Sequence, residues 1–346
     1  MFEGIKIRFI SQDDVVSIFA GNTKAIFNCV EDALLKYING KALMPDKVSQ
    51  IFDQQTQNRI NCMPATLLDE KVCGVKWVSV FPTNAAKGLQ NVSGIMLLSE
   101  IETGFPVAVI DGTFVTLART AAVGCVAAKY LAPSKVETIG FIGGGEQAKM
   151  HFTLLKHLFP SIKECRISSR KETTEELFIN TFSDIAPDVR FIACGNSSFL
   201  AASGADIIVT AISGQAPVLK AKDVTKGGLY IHVGGWEDDY GVALKANKIV
   251  VDDWEASKHR TQTICRMYKE GILEDKDIYC NLSELIAGKK VGRVNDDEFI
   301  YFNSVGLSFI DVCFANYIYK ESLRHDLGRE VNLLDGVFDN YRLFLK

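Results

Sequence analysis

Gly143-Gly144-Gly145-Glu146-Gln147-Ala148 is a G-x-G-x-x-A stretch set between the apolar run Thr138–Ile142 and a helical pattern over 149–159. Each position has a physical reason there. Gly143 permits a tight turn, Gly145 lets the backbone approach a pyrophosphate, and Ala148 lets helix and strand pack closely. The helix N-terminus offers unpaired N–H groups and a positive dipole end to the anion. An ordinary glycine-rich turn can produce the same letters. Here strand, motif, helix and a next strand, Glu164–Ser168, follow in the order that dinucleotide binding requires.

The end of that second strand should meet the adenosine ribose. An acid there would favour NAD(H), but the chain has Ser168-Ser169-Arg170-Lys171. Two hydroxyls and two cations suit a 2′-phosphate, so NADP(H) is favoured over NAD(H). The alternative is a solvated loop charge, and Glu172 nearby keeps NAD(H) open. Further candidate strands at 189–194, 206–211, 229–233, Lys248–Val251 and 299–303 continue the strand–helix alternation of a parallel sheet covered on both faces. Thr210-Ala211-Ile212-Ser213 then falls at a strand's carboxyl end, where doubly wound sheets bind ligands.

Upstream of residue 136 the rhythm differs. Ile5–Ile10 alternates as a strand, Ser11-Gln12-Asp13-Asp14 starts a helix, and 22–38 is amphipathic. Apolar runs at Val72–Val80, 94–98 and 106–110 read as strands, the last two forming a hairpin. The Ala-rich run 113–130 reads as a helix closed by Pro133, and 306–320 as another.

A chain of 346 residues suits two domains, and 47% hydrophobic with 23% charged residues is an ordinary globular balance. The formal charge of −4 lacks the basic excess that nucleic acid attracts. The most apolar stretch, 107–131, is broken by Asp111, Arg119 and Lys129, which argues against a membrane span. The first residues show no leader pattern. Nine scattered cysteines without a Cys-x-x-Cys pair read as reduced thiols in a cytoplasmic protein. The five histidines form no HExxH and no metal site is expected.

Several pieces in their joint order carry a resemblance: Met63-Pro64, Gly74-Val75-Lys76-Trp77, Glu102-Thr103-Gly104-Phe105-Pro106, Arg119-Thr120-Ala121-Ala122, the Gly143 loop, Val250-Val251-Asp252-Asp253-Trp254, Gly292-Arg293 and Asn303-Ser304-Val305-Gly306. Together they resemble the ornithine cyclodeaminase/mu-crystallin family over nearly the whole chain. Asn58-Arg59-Ile60, Asp252-Asp253-Trp254 and Asp296-Asp297-Glu298 look like its siderophore-pathway branch, the N-(2-amino-2-carboxyethyl)-L-glutamate dehydrogenases that supply 2,3-diaminopropionate. The resemblance implies an α/β fold in which a Rossmann doubly wound parallel sheet, 119–306, is inserted in a second αβ domain for substrate binding and dimerisation, 1–118 completed by 307–346. It also implies a homodimer and a small amino-acid-like substrate.

Hydride transfer at a nitrogen-bearing carbon needs a carboxylate clamp and a proton-exchanging group. Arg119 lies in an apolar helical run, where an unpaired guanidinium is costly; a core salt bridge is the alternative to the substrate-carboxylate role that the resemblance implies. Lys76 lies in an apolar strand, where alternation alone could place it on a solvated face. The resemblance turns it towards substrate, where desolvation would lower its pKa and suit proton exchange. Arg59 matches the siderophore-type branch and could clamp a second carboxylate, with a surface charge as the plainer reading, and Met63 falls beside it among the substrate residues. Ser304, Val305 and Gly306 would sit by the nicotinamide, with Thr120 near them.

The family's catalytic carboxylate should follow the strand at 229–233. Counting back from Val250 selects Glu237, while counting forward from Gly234-Gly235 selects Trp236. Glu237 is the first choice and Asp238 the second for handling the proton on the substrate nitrogen, against a solvated acidic turn. The leading expectation is an NAD(P)-dependent dehydrogenase of an N-substituted amino acid that releases a 2-oxoacid and a diamino acid. The alternatives are imine (ketimine) reduction, ornithine cyclodeamination, or a crystallin-like protein that binds NADP without turnover.

Overall fold

The computed structural model describes residues 4–344 apart from 215, 226 and 337. The chain forms two compact units, one from 1–22, 39–116 and 308–346, the other from 23–38 and 117–307.

The first unit is built on one sheet: β1 (Ile5–Ile10), β2 (Ala42–Leu43), β3 (Val48–Ile51), β4 (Arg59–Leu67), β5 (Val72–Val80), β6 (Val92–Glu100), β7 (Pro106–Asp111) and a C-terminal strand, Arg329–Leu334. From that last strand the order runs β1, β7, β6, β5, β4, β2, with β3 also against β4. Only β1 and β7 pair in parallel; the other pairs are antiparallel. Alternate residues Met63, Ala65, Leu67, Val78, Met96 and Leu98 are buried on the face covered by the helix Ser308–Arg324. Ser11 caps the helix Gln12–Phe19, with Asp14 bonding back in a capping box.

The sequence reading passed over β4. Its alternation is interrupted by Pro64, which demotes a strand because it cannot donate to a ladder. Pro64 lies between the stretch paired to β3, Arg59–Cys62, and the stretch paired to β2, Thr66–Leu67, so β4 tolerates it. The C-terminal strand is fully exposed, and Val331-Asn332-Leu333 is too short an alternation to mark it.

The second unit holds β8 (Thr138–Ile142), β9 (Glu164–Ser168), β10 (Arg190–Ala193), β11 (Ile207–Thr210), β12 (Leu229–His232), β13 (Lys248–Val251), β14 (Ile278–Asn281) and β15 (Ile300–Asn303). All pairs are parallel, in the order β10, β9, β8, β11, β12, β15, β13, β14. The order reverses at β8 and β11, which makes the carboxyl ends of these two strands the binding crevice of a doubly wound sheet. The helix Thr23–Ile38 belongs here, packed on Leu282–Ile286, and so departs from the expected 1–118 block. The helix, whose buried stripe includes Ala25, Phe27, Val30 and Leu34, packs on residues far downstream, which a linear reading cannot supply.

Among the described residues one helix, Gly112–Leu131, is long and apolar enough to cross a bilayer, and it is mostly buried inside the protein. It is a core helix interrupted by the buried Arg119. All nine cysteines are free thiols.

Candidate active site

The phosphate loop follows β8 in the second unit. Gly143 has φ 99°, and a Cβ there would run into the Ala211 carbonyl. Its N–H donates to the Ser168 carbonyl at 2.8 Å, tying the loop to the end of β9. Gly145 is the N-cap of the helix Glu146–Leu158 and brings no side chain to cap it. A Cβ on Gly145 would meet nothing within 4 Å. The first-turn N–H groups, those of Glu146 and Gln147 among them, thus have no side-chain cap, while Ala148 is fully buried. An open, uncapped helix start beside backbone without Cβ fits a pyrophosphate.

At the end of β9, Ser168 is buried, Ser169 half-buried and Arg170 exposed. Glu175, on the helix Glu172–Phe182, is buried and reaches back to this corner. Its Oε1 accepts the Ser169 N–H at 2.6 Å and its Oε2 the Gly195 N–H at 3.1 Å. Sequence reasoning missed this residue, because one acid in the polar helix stretch Glu172-Thr173-Thr174-Glu175-Glu176 reads as solvated.

In the turn after β12 the acids Glu237 and Asp238 are buried, not solvated. Glu237 is fully buried and faces no open space. Its Oε1 accepts the Ile212 N–H at 2.7 Å; its Oε2 accepts the Thr210 hydroxyl at 2.7 Å and the Gly234 N–H at 2.8 Å. This geometry is that of a fastening between two loops, and three donors leave little room for a proton-handling role. Thr210 is likewise turned inward, within 2.8 Å of the Tyr230 hydroxyl, so only the backbone of Ala211 and Ile212 continues along the strand's carboxyl edge. Asp238, also fully buried, accepts from Thr263 Oγ1 at 2.6 Å and Tyr301 OH at 3.1 Å. Trp236, the other candidate for that position, lies under the Arg266 guanidinium at 4.5 Å from ring centroid to Cζ.

After β15 the same device recurs. Asp252 Oδ2 accepts from Ser304 Oγ at 3.1 Å, Val305 N–H at 2.8 Å and Gly306 N–H at 2.9 Å. Burial raises the Asp252 pKa, opposed chiefly by the backbone donors at Gly306 and Val305. Gly306 has φ 84°, and a Cβ on it would lie 2.5 Å from Arg119 Nη1. Absence of a side chain at 306 is thus what seats the Arg119 guanidinium, with Thr120 next along its helix.

The remaining predicted residues belong to the first unit. Lys76 is fully buried, so its strand does not turn it to solvent. Its Nζ donates to Asp311 Oδ1 at 2.6 Å, and Asp311 is equally buried on the helix Ser308–Arg324. The helical stretch 307–311 gave no sign of that partner. Met63 stands opposite Lys76 in the ladder. Arg59, half-buried, donates to the Gln57 carbonyl at 2.9 Å, and burial lowers its pKa from the ordinary value.

The sequence model of the ornithine cyclodeaminase/mu-crystallin family matches residues 10–326. An alanine dehydrogenase from Archaeoglobus fulgidus is 35% identical over 93% of this chain and 97% of its own length. An N-((2S)-2-amino-2-carboxyethyl)-L-glutamate dehydrogenase from Staphylococcus aureus is 25% identical over 94% and 98%. The solved Delta(1)-pyrroline-2-carboxylate reductase of Thermococcus litoralis, in complex with NADH and L-proline, superposes with a TM-score of 0.88 at 30% identity, covering 94% of this chain and all of that one.

Proposed function

This chain belongs to the ornithine cyclodeaminase/mu-crystallin family, and we propose that it is an NAD(P)-dependent oxidoreductase working at the carbon–nitrogen bond of an amino-acid derivative. The observation that carries this reading is the uncapped Gly143–Ala148 loop on a doubly wound sheet, with the Arg119 guanidinium held at Gly306 beyond another strand end of that sheet. Relatives that act on alanine, on a cyclic imine and on an N-substituted glutamate support the substrate class.

In its finer form the substrate is a secondary amine joining two amino-acid skeletons. The bound nicotinamide supplies the hydride acceptor. The N–H groups of Glu146 and Gln147 hold the pyrophosphate, and Arg119 and Arg59 each take a substrate carboxylate. Lys76, steadied by Asp311, exchanges the proton on the substrate nitrogen. Loss of hydride from carbon and a proton from nitrogen leaves an imine; water then adds, and the C–N bond breaks to a 2-oxoacid and an amine. One observation favours a second reading, reduction of an imine with no hydrolysis: Glu237, the acid expected to activate water, has its oxygens committed to three donors.

The deciding experiment follows nicotinamide absorbance with N-substituted amino acids, simple amino acids and cyclic imines. Net oxidation of cofactor by imine alone selects the reductase. Product without net cofactor change selects cyclodeamination, and binding without any turnover selects the crystallin-like reading. For the cofactor, Ser169 and Arg170 support NADP(H). Arg170→Ala is expected to weaken NADPH about tenfold or more and leave NADH within about twofold, since a charge-assisted bidentate contact contributes about 1.5–3 kcal/mol. Equal loss for both cofactors refutes the preference.

The homodimer expectation has a surface in the first unit. Val48, Cys62, Trp77 and Ile95 stand in one ladder row on the sheet face away from the helix Ser308–Arg324, with Val48, Trp77 and Ile95 exposed. A second copy covering this stripe buries it. Trp77→Glu is then expected to halve the mass measured by light scattering; an unchanged mass places the interface elsewhere.

A further inference from the structure

His232 closes β12, in register with Thr210 on one side and Asn303 on the other, and is completely buried. Its Nε2 lies 3.5 Å from Asp238 Oδ1 and 3.8 Å from Glu237 Oε2. Neither ring nitrogen makes a hydrogen bond, nor do Asp238 Oδ2 and both side-chain polar atoms of Asn303. Two adjacent, fully buried carboxylates thus share one imidazole. Glu237 is satisfied by its three donors, whereas Asp238 has both of its donors on one oxygen and the other bare. A bare buried carboxylate oxygen is expensive unless it carries a proton or meets a cation.

We propose that His232 and Asp238 hold one proton between them, and that this pair is a positioning device for the turn 233–238, so that dinucleotide affinity falls as the proton is lost. The other groups facing the pair are Glu237 on the same turn, Tyr230 on β12, Tyr301 on β15 and, beside Tyr301, Cys265 on the helix Thr263–Lys269. No Lys or Arg among the described residues bridges to Asp238, so His232 is the basic side chain beside it. With the proton gone, Asp238 repels the neighbouring Glu237 carboxylate, whose bonds to Ile212 and Gly234 fasten the two loops.

The direction of the titration agrees. Burial raises Asp238 from 3.8 to about 6, with His232, Thr263 and Tyr301 pulling the other way. A carboxyl whose folded pKa is raised contributes most below its unfolded value and loses that contribution as pH rises through the folded one. Affinity and thermal midpoint both fall, on this account, between about pH 4 and 7.

This inference rests on the dinucleotide reading only through the affinity, so the test has a part that needs no cofactor. Ring-nitrogen NMR of His232 and thermal midpoints are recorded from about pH 4 to 8, beside NADPH and NADH titrations by fluorescence, for the wild type and Asp238→Asn. The asparagine mimics the protonated acid: its oxygen keeps the Thr263 and Tyr301 bonds and its NH2 replaces the bare oxygen. Wild-type dissociation constants are expected to rise about tenfold from about pH 4 to 7, while Asp238→Asn stays flat at the low-pH value and changes the His232 ring-nitrogen signals. A wild-type slope retained in Asp238→Asn, or a His232 signal indifferent to that substitution, overturns the pair. Should Asp238→Asn not fold, Tyr301→Phe removes one donor from the charged acid and must move the transition to higher pH; an unmoved transition overturns the proposal equally. If no dinucleotide binds at any pH, the functional reading fails, and the NMR and thermal data still decide the pair.

Discussion

Lys76→Met is expected to reduce turnover by about a hundredfold to ten-thousandfold, the range lost with a proton-exchanging group, and to destabilise the first unit by about 3–5 kcal/mol. The second effect comes from removing the ammonium that stands 2.6 Å from the fully buried Asp311 carboxylate. The two effects separate in the double variant Lys76→Met/Asp311→Leu. A buried ion pair replaced by apolar side chains is often neutral or stabilising, so the unfolding midpoint in urea should return while turnover stays lost. If stability and turnover return together, Lys76 is structural only, and the proton on the substrate nitrogen is handled elsewhere.

Glu237→Gln is the second large effect, and it is where sequence and structure part. Read as a catalytic acid, position 237 predicts lost turnover with cofactor binding spared. The buried geometry predicts the opposite order. Glutamine keeps one acceptor oxygen but turns an NH2 group towards donors: either the Ile212 N–H or the Gly234 N–H and Thr210 hydroxyl lose their acceptor. Hydrogen bonds to a charged group contribute about 1.5–3 kcal/mol each, so cofactor affinity should drop about tenfold to a hundredfold. Turnover at saturating cofactor should fall less. Isothermal titration alongside initial rates distinguishes these, and spared affinity with abolished turnover would return Glu237 to catalysis.

The contrast shows what was legible. The second unit could be read because its strands are short apolar runs at crossover spacing, and because G-x-G-x-x-A has meaning only between a strand and a helix. Lys76 and Arg119 stood out as cations in apolar stretches, and both proved buried. Their surroundings did not show: Asp311 is distant in sequence from Lys76, and Gly306 seats Arg119 through a side chain it lacks. β4 was hidden by Pro64, whose tolerance depends on a gap between β2 and β3. Glu175, Glu237 and Asp252 are the hardest class. An acid in a loop or first helical turn looks solvated in sequence, and only burial with two or three donors shows otherwise.

Those three acids have a consequence for what the carboxyl edge of the parallel sheet admits. Backbone N–H groups at such strand ends could take an inorganic phosphate, a sulfate or a misplaced substrate carboxylate. Glu175 fills the corner after β9 and β10, Glu237 the corner after β11 and β12, and Asp252 the one after β15. The protein carries its own anions at three of these corners and brings no side-chain cap to the helix start after β8. A dinucleotide arriving at such an edge meets that uncapped start, and free phosphate should compete with it there, as a simple rival for one place.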